Sequence, residues 1–371
     1  MITISEVAVN LVGPLHRQGG FGEHVRGFAA TLANLMPIAA VAVGAKERFE
    51  RLPAQLLQAL QRPAAVDRPT IWIGPIVPAT GLPGGYKIGW VTWETTKIPS
   101  AYCEMLAGFD ELWLPSTFCR DLIVSALGDG RPIQVVPEGV DAQFYRPVSR
   151  SLSRDGRPFR FLSVGKWERR KGHDICLSAF LSAFRDDDDV ELLLRLTPSA
   201  KDGSDLAHEA AALLAGASDS LRAKVRALAA VPSAGMRRLY SYADAFVLMT
   251  RSEAWGLPII EAMSMGLPCI VTQYGGHLDF CTPENAFLCR SLGLVPASDA
   301  VYFPPSSDWG SWAEPDVSHL ALLMRQVYSD RAKAAEVGRK ARRDVVARWT
   351  WMHSARKAAG LIADRTLSSR G

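Results

Sequence analysis

The sequence predicts an α/β protein made of two domains, each a mainly parallel β-sheet flanked by helices. The chain has 371 residues, and domains usually run to roughly 100–200 residues, so two units are expected. Short β-branched or aromatic runs alternate with longer helical patterns, which is typical of β-α-β units. The alternation lapses at residues 141–158 and then restarts. We therefore expect an N-terminal domain over 1–150, completed by a C-terminal helix over about 350–371, and a C-terminal domain over 158–349.

The composition indicates a globular chain and excludes several classes of protein. Hydrophobic residues make up 48% and charged residues 22%, close to the average for soluble domains. The net charge is only +4 and both signs are interleaved, so no nucleic-acid partner is expected. The six cysteines form no C-x-x-C pair and are expected to be reduced, buried thiols. No run of ~18 apolar residues and no basic leader segment occurs, which predicts a cytoplasmic location.

In the N-terminal half, strand patterns fall at 4–12, 38–44, 70–76, 86–91, 111–115 and 133–137. The first strand is followed by a glycine-rich segment, 13–22, which contains Gly19 and Gly20. Glycines there allow the backbone to approach a ligand closely. The helix that follows has apolar residues at spacings of three and four, which share one face: Phe21, Val25, Phe28, Leu32 and Leu35.

In the C-terminal half, strands are predicted at 159–165, 190–196, 245–249 and 268–272. Helices are predicted at 172–184, 221–230 and 235–242. Beyond Asp316 the chain is helical, with one apolar stripe formed by Leu320, Leu323, Met324 and Val327. Trp349 and Trp351 mark a break before the last helix.

Two carboxylates stand out in segment 251–276. Glu253 lies in the turn after the strand at 245–249, and Glu261 lies in the helix that follows. Such a turn sits at the carboxyl edge of a parallel sheet, where ligands bind. Gly256, Leu257 and Pro258 open the helix, whose N-terminus favours phosphate oxygens. The carboxylates suit the hydroxyls of a ribose and a sugar, because they only accept hydrogen bonds.

This segment resembles the E-x7-E signature of the retaining family 4 glycosyltransferases, known as group 1. The resemblance spans most of the chain and implies a GT-B fold, with two Rossmann-like domains facing across a cleft. It also implies that Glu253 contacts the donor sugar and Glu261 the nucleotide ribose.

A second motif, Gly-Lys-Trp-Glu-Arg-Arg-Lys-Gly at 165–172, lies between a strand and a helix. Family members typically have Gly-Arg and Lys-Gly at its ends, with both cations neutralising the leaving diphosphate. Lys166 therefore stands where arginine is usual, Lys171 matches the pattern, and Arg170 is a candidate substitute. With Lys166, Lys171 and Glu253 as catalytic residues, no metal is expected. The Asp186–Asp189 run is interpreted as a turn rather than a metal motif.

The N-terminal half supplies the remaining candidates. By resemblance, Gly19 and Gly20 face the donor phosphates, while His16 and Glu94 contact the acceptor. Glu138 stands where the family commonly has histidine. No catalytic histidine is assigned, and His16, His24 and His277 stay open, each with a structural role as the alternative. The turn at 274–277 is either a sugar contact or a plain tight turn.

These observations predict a retaining hexosyltransferase of polysaccharide biosynthesis that uses a nucleotide sugar as co-substrate and no metal cofactor. GDP-mannose is the favoured donor and UDP-sugars come next. The acceptor is a glycan, a lipid-linked molecule or a small molecule. The Arg-rich stretches at 146–160 and 339–348 are either solvated faces or a peripheral contact with the inner membrane face. A non-catalytic binding homologue is the alternative; a dinucleotide oxidoreductase is disfavoured because G-x-G-x-x-G is missing after the first strand.

Overall fold

A computed structural model describes residues 9–44, 52–148, 156–197, 203–229, 231–299 and 302–368. The chain divides into two compact units. The first comprises 1–93, 98–141 and 348–371, and the second comprises 94–97 and 142–347. The C-terminal helix therefore returns to the first unit. Of the strand predicted at 4–12, only the part from Val9 onward lies within the described residues.

The described strands of the first unit form one parallel sheet in the order β2-β1-β3-β4-β5-β6. They are β1 (Val9–Gly13), β2 (Ile38–Ala42), β3 (Thr70–Ile73), β4 (Lys87–Trp90), β5 (Glu111–Leu114) and β6 (Ile133–Val135). Its helices before the second unit are α1 (Gly20–Leu32), α2 (Ala54–Gln61), α3 (Ser100–Ala107) and α4 (Thr117–Leu127).

Helix α1 buries the apolar face that its sequence predicts. Val25, Phe28 and Leu32 are fully buried, whereas the two ends of the stripe are partly exposed. The Phe28 ring packs edge-on against Trp90 with centroids 4.7 Å apart, and Trp90 in turn meets Trp113 at 5.7 Å. These aromatic contacts join α1 to the middle of the sheet.

The second unit contains a parallel sheet in the order β12-β11-β10-β7-β8-β9 and a separate antiparallel pair, β13-β14, among the described residues. The strands are β7 (Phe159–Lys166), β8 (Val190–Thr197), β9 (Val225–Leu228), β10 (Ala245–Leu248), β11 (Cys269–Thr272), β12 (Phe287–Cys289), β13 (Ser291–Pro296) and β14 (Ser311–Pro315). The helices are α5 (His173–Ala183), α6 (Gly203–Ala215), α7 (Asp219–Ala223), α8 (Ser233–Tyr242), α9 (Leu257–Ser264), α10 (Val317–Ser329) and α11 (Arg331–Arg348).

The helix predicted at 221–230 is wrong. The short helix α7 ends at Ala223, and Val225–Leu228 forms strand β9, which pairs in parallel with β8. Helical spacing of the apolar residues suggested the helix, but the outer edge of β8 needs hydrogen-bond partners. Backbone pairing with β8 satisfies those groups, and this tertiary demand overrides the local pattern.

Helices α5 and α10 cover the second sheet on one face. Ile175, Leu177 and Phe180 of α5 are buried, as are Leu320 and Met324 of the predicted α10 stripe. The last helix, α12 (Trp351–Ser368), packs against α1 in the first unit. A Cβ on Gly27 of α1 would lie 2.4 Å from the Trp351 ring, so the close approach requires glycine there.

Two further sequence expectations concern the whole chain. All six cysteines are unpaired, and all but Cys103 are buried. Over the described ranges, no helix combines the length and apolar character that crossing a bilayer requires.

Candidate active site

The candidate site lies where the second sheet changes its winding direction. The chain runs from β7 outward through β8 to β9, and then returns to β10 on the other side of β7. Ligands of open α/β sheets bind at the carboxyl ends of the strands next to such a switch point. The two segments at that place are the turns 167–172 and 249–256. They contain four of the donor-site residues predicted from the sequence: Arg170, Lys171, Glu253 and Gly256.

The first turn, 167–172, rests directly on the second. A 3-10 turn covers Arg169–Lys171, and Gly172 follows with φ of +64°. A Cβ on Gly172 would lie 1.8 Å from the Met249 carbonyl oxygen, so both the contact and the dihedral require glycine. This packing fixes the place of Lys171, the residue before Gly172.

Glu253 is a buried carboxylate held by two cations. Its side chain is 6% exposed, and the Lys171 ammonium donates to both carboxylate oxygens at 2.7 Å. Arg170 Nη1 donates to Oε1 at 2.9 Å. Burial alone raises the pKa of Glu253, but Lys171 and Arg170 outweigh it and lower the pKa to about 2. Glu253 is therefore ionised and can only accept hydrogen bonds.

Arg170 is the centre of a larger charge cluster. Besides bonding Glu253, its Nη1 donates to the Ser252 carbonyl at 2.8 Å and lies 3.0 Å from Glu94 Oε1. Its Nη2 lies 3.6 Å from Glu168 Oε2. The sequence suggested Arg170 as a substitute cation for the diphosphate. The structure instead places it, only 10% exposed, among three carboxylates.

Glu94 belongs to this cluster rather than to the first sheet. The segment 94–97 groups with the second unit, where Ser311 N donates to Thr96 Oγ1 at 2.7 Å. Burial raises the pKa of Glu94, with Arg170 opposing the rise and Glu253 adding to it. The predicted acceptor residue thus lies beside the predicted donor residues and shares one guanidinium with Glu253.

Lys166, at the end of β7, is the most accessible of the three predicted cations. Its side chain is 39% exposed, against 12% for Lys171 and 10% for Arg170. The ammonium donates to Tyr302 Oη at 2.7 Å and lies 3.4 Å from Glu168 Oε1. Neither Tyr302 nor Glu168 was singled out from the sequence, since only the fold brings Tyr302 to this strand end.

The second turn leads into α9. Gly256 precedes the helix with φ of +101°, and Leu257 and Pro258 form its first turn. Proline is tolerated there because first-turn amides have no partner within the helix. The remaining amides and the helix dipole favour an anion at this end.

Glu261 lies in the second turn of α9 and accepts a hydrogen bond from Tyr240 Oη at 2.7 Å. Burial raises the pKa of Tyr240 well above its usual value, so the phenol stays protonated and donates. No sequence pattern pointed to Tyr240, which reaches Glu261 from helix α8.

The turn at 274–277 closes on Glu253 from another side. Gly276 N donates to the Glu253 carbonyl at 2.7 Å, and a Cβ on Gly275 would lie 3.0 Å from the same oxygen. His277 is fully buried, and its Nε2 donates to the Thr272 carbonyl at 2.7 Å. Burial lowers its pKa, so the ring is neutral near pH 7. This geometry favours a structural role for His277.

In the first unit, Gly19 and Gly20 lie exposed at the start of α1. Gly19 has φ of +90°, and a Cβ on either glycine would meet nothing within 4 Å. The loop before them is fixed by Arg26, whose Nη1 donates to the carbonyls of Leu15 and Arg17 at 2.9 and 2.8 Å. His16 is half-buried in this loop.

His24 and Glu138 form a buried pair in the same unit. The His24 Nδ1 lies 3.4 Å from Glu138 Oε1, and its ring packs edge-on against Trp90 with centroids 4.3 Å apart. Burial lowers the pKa of His24 to about 3, so the ring is neutral and the contact is a weak one rather than an ion pair. A structural role is favoured for His24 as well.

The Asp186–Asp189 run forms the turn between α5 and β8. Asp188 accepts from Arg325 Nη1 at 2.7 Å, and Asp186 accepts from the Ser218 hydroxyl. Within the described part of the chain, no three His, Cys, Asp or Glu side chains are grouped so as to hold a metal ion. That the chain works without a metal stays a prediction.

Comparison with known sequences gives a consistent match. The family model described as "Glycosyl transferases group 1" matches residues 158–300, which include all predicted donor residues of the second unit. A D-inositol 3-phosphate glycosyltransferase of Segniliparus rotundus is 33% identical over 156 residues, which cover 40% of this chain and 33% of the relative. A GDP-mannose-dependent alpha-(1-6)-phosphatidylinositol monomannoside mannosyltransferase of Mycobacterium tuberculosis is 23% identical over 325 residues, which cover 80% of this chain and 76% of the relative. The chain therefore matches only a third of the first relative's length.

Solved structures share the fold. Sucrose-phosphate synthase from Thermosynechococcus elongatus superposes with a TM-score of 0.70 at 17% identity, covering 98% of this chain and 100% of that chain. Anabaena HepE in complex with UDP and glucose superposes with a TM-score of 0.69 at 13% identity, covering 96% and 100%. At sequence identities this low, the superpositions show a shared fold and nothing further.

Proposed function

We propose that this chain, whose residues 158–300 match the group 1 glycosyltransferase model and whose fold is GT-B, is a retaining hexosyltransferase of that family. The reaction transfers a sugar from a nucleoside-diphosphate sugar to an acceptor hydroxyl. One observation supports the proposal: Lys171 and Glu253 are ion-paired at the switch point of the second sheet, beside the N-terminus of α9, and Lys166 ends the adjacent strand β7.

The donor diphosphate is proposed to bind at the accessible cations. Lys166 is the best placed, because its ammonium is the most exposed of the three and sits at the strand end. The first turn of α9 adds amide donors and the positive end of its dipole. Lys171 contributes when it shares its three N–H groups between Glu253 and a phosphate oxygen.

The chemistry then depends on charge that develops in the transition state. Cleavage of the bond from sugar to phosphate leaves negative charge on the diphosphate, and fixed cations aimed at it lower the barrier. Glu253 accepts from hydroxyls of the donor sugar, and Glu261, already oriented by Tyr240, accepts from the ribose. With retention of configuration, the acceptor approaches on the face of the leaving phosphate, whose oxygen takes the acceptor proton.

For the donor base and sugar we propose GDP-mannose first and a UDP-sugar second. The Mycobacterium relative is named for GDP-mannose, and the Anabaena structure contains UDP and glucose. For the acceptor we propose a glycan, a lipid-linked molecule or a small molecule, with Glu94 and His16 as contacts. Three arginines of the basic stretches, Arg157, Arg160 and Arg342, bond within the second unit, which favours a structural use of those stretches over membrane contact.

A thermal-shift screen with GDP, UDP, ADP and dTDP tests the nucleotide. A ligand at 100 times its dissociation constant stabilises the native state by about 2.7 kcal/mol, which is several degrees in Tm. Transfer from the matching radiolabelled nucleotide sugar to water or to a mannoside acceptor then tests the reaction. Nucleotide binding without any sugar release would favour the non-catalytic homologue, and no response to any nucleotide would overturn the proposal.

A further inference from the structure

Arg251 is almost completely buried directly behind the charge cluster. Only 2% of the residue is exposed. Its guanidinium forms two bidentate ion pairs: with Asp174 at 2.9 and 3.1 Å, and with Glu314 at 2.8 and 3.0 Å. Its Nη1 also donates to the Arg169 carbonyl at 2.5 Å. All five N–H groups of the guanidinium are engaged.

The backbone of Arg251, like its side chain, connects the turn 249–256 to the turn 167–172. Its N–H donates to the Arg170 carbonyl at 2.7 Å, and its carbonyl accepts from Ala313 N at 3.0 Å. The preceding hydroxyl, Thr250 Oγ1, donates to the Ser252 carbonyl at 2.6 Å and lies 3.1 Å from the Arg170 carbonyl. Arg251 thus ties the turn that carries Lys171 to the turn that carries Glu253.

The partners of Arg251 come from two other elements of the second unit. Asp174 lies in the first turn of α5, and Glu314 lies on β14. Burial raises the pKa of Asp174, but the hydrogen bonds and charge of Arg251 outweigh it, so the pKa falls below its usual value. Arg251 stays charged for the same reason, since both carboxylates raise its pKa. The Arg251 guanidinium and the Asp174 carboxylate are therefore both charged near neutral pH.

We propose that Arg251 is a positioning residue for the donor site: it touches no substrate, and it sets the separation of Lys171 and Glu253 by holding their two turns together. The expected loss of kcat rests on the proposed function, whereas the effect of Arg251 on the two turns does not. A guanidinium fork is required because lysine offers a single point charge that cannot bridge both carboxylates and the Arg169 carbonyl.

Arg251→Lys and Arg251→Ala test the proposal, with Arg160→Lys as the matched control. Arg160 is also buried, at 7% exposure, and its Nε donates to Glu191 at 2.8 Å. It lies at the opposite end of β7, about 20 Å along the strand from Lys166. Loss of a buried, ion-paired arginine destabilises the Arg251 and Arg160 variants alike, whereas only Arg251 contacts the donor turns.

The first readout is the reactivity of Lys171 toward an amine-acetylating reagent, measured by mass spectrometry with Lys166 as the internal reference. We expect Lys171 to react about tenfold faster in both Arg251 variants, because loosening the turns frees its ammonium from Glu253. The Arg160 variant keeps the wild-type rate. An unchanged Lys171 rate in folded Arg251→Lys overturns the proposal, whether or not the chain binds nucleotides.

The second readout is kinetic. Misplacement of the donor groups by about 1 Å lowers kcat about 100-fold in Arg251→Ala, with little change in KM for the acceptor. An open cavity of about 530 Å³ is lined by Arg251, Asp174 and Glu314, so a small cation can enter where the side chain was removed. Methylguanidinium then restores part of the lost kcat and methylammonium does not. Equal losses of kcat in the Arg251 and Arg160 variants, without rescue by methylguanidinium, contradict the positioning role. If the wild type binds no nucleotide, the proposed function is contradicted instead.

Discussion

The ammonium of Lys171 lies 2.7 Å from both carboxylate oxygens of Glu253. The sequence assigns these residues to opposite ends of the donor, the cation to the diphosphate and the carboxylate to the sugar. In the structure they neutralise each other. A donor must therefore place its hydroxyls and phosphate oxygens around an existing ion pair. The stronger that pair is, the less available the Lys171 ammonium is to the leaving diphosphate.

Replacing Glu253 with glutamine separates the two roles. Glu253→Gln keeps the shape of the side chain but removes the charge that holds Lys171. We expect kcat for sugar transfer to fall about 100- to 1,000-fold, as for loss of a transition-state contact. The affinity for the free nucleoside diphosphate should stay or rise up to about tenfold, because the released ammonium meets the phosphate with less competition.

Calorimetric titration of the diphosphate and steady-state transfer kinetics measure these two quantities. Glu191→Gln is the matched control, since Glu191 is an ion-paired carboxylate of β8 that pairs with Arg160, away from the turns. A parallel loss of diphosphate affinity and kcat in Glu253→Gln would show that Lys171 depends on the carboxylate for its position.

Much of the fold could be predicted from the sequence because its signals are local. Short apolar runs predicted the six described strands of the first sheet and strands β7, β8, β10 and β11 of the second, but not β9 and β12. The first strand, the glycine-rich segment and helix α1 were predicted in their observed order. Strand β9 was missed because its formation depends on the free edge of β8, which no local pattern records. The E-x7-E spacing placed Glu253 and Glu261 correctly relative to α9, since both belong to one turn and one helix.

The charge partners could not be predicted in the same way. Arg251 bonds Asp174 and Glu314, which are 77 and 63 residues away in sequence. Glu94 reaches Arg170 only because the chain folds segment 94–97 against the second unit. Pairing of this kind depends on which turns the sheet order brings together. The sequence identified charged residues, but not which of them neutralise one another.

His173 gives the chain a specific sensitivity to acid. It is buried in the first turn of α5, its Nδ1 lies 3.2 Å from Ser163 Oγ, and its Nε2 donates to the Lys166 carbonyl at 3.1 Å. Burial is the main cause that lowers its pKa from 6.5 to about 4. The unfolded chain therefore takes up a proton below pH 6.5 that the folded chain refuses, so stability is full above pH 6.5 and falls as the pH drops toward 4.

Replacing His173 with glutamine removes this pH dependence. Between pH 7.5 and pH 5.0 the wild type should lose up to about 2 kcal/mol of unfolding free energy through His173, and His173→Gln should lose that much less. Urea unfolding at the two pH values measures the difference. The exposed His208 of α6, changed to glutamine, serves as the control and should behave like the wild type. Equal acid losses in all three chains would contradict a neutral, buried His173.

The glycine loop of the first unit can be tested without disturbing the fold. Gly20 is exposed, and a Cβ there would meet nothing within 4 Å. Gly20→Val should therefore change the unfolding free energy by less than about 0.5 kcal/mol. If the donor phosphates approach this backbone, the added side chain raises KM for the nucleotide sugar about tenfold. Gly130→Val, at another exposed glycine with open space, is the control; equal KM values in the two variants would argue against a ligand at Gly20.

Lys166 stands where the resemblance to the group 1 glycosyltransferases leads us to expect an arginine. Its ammonium donates to Tyr302 Oη at 2.7 Å and lies 3.4 Å from Glu168 Oε1, and the side chain is 39% exposed, so a phosphate can reach it from solvent. Lys166→Met should weaken diphosphate binding about tenfold, the loss expected for one charge-assisted hydrogen bond. Lys166→Arg should bind at least as tightly as the wild type, because its fork accepts two phosphate oxygens at once. Titration of the diphosphate into each variant measures this, with Lys97→Met as the control, since Lys97 is an exposed lysine paired with Asp308. Undiminished binding in Lys166→Met would mean that Lys171 and the amides of α9 hold the diphosphate alone.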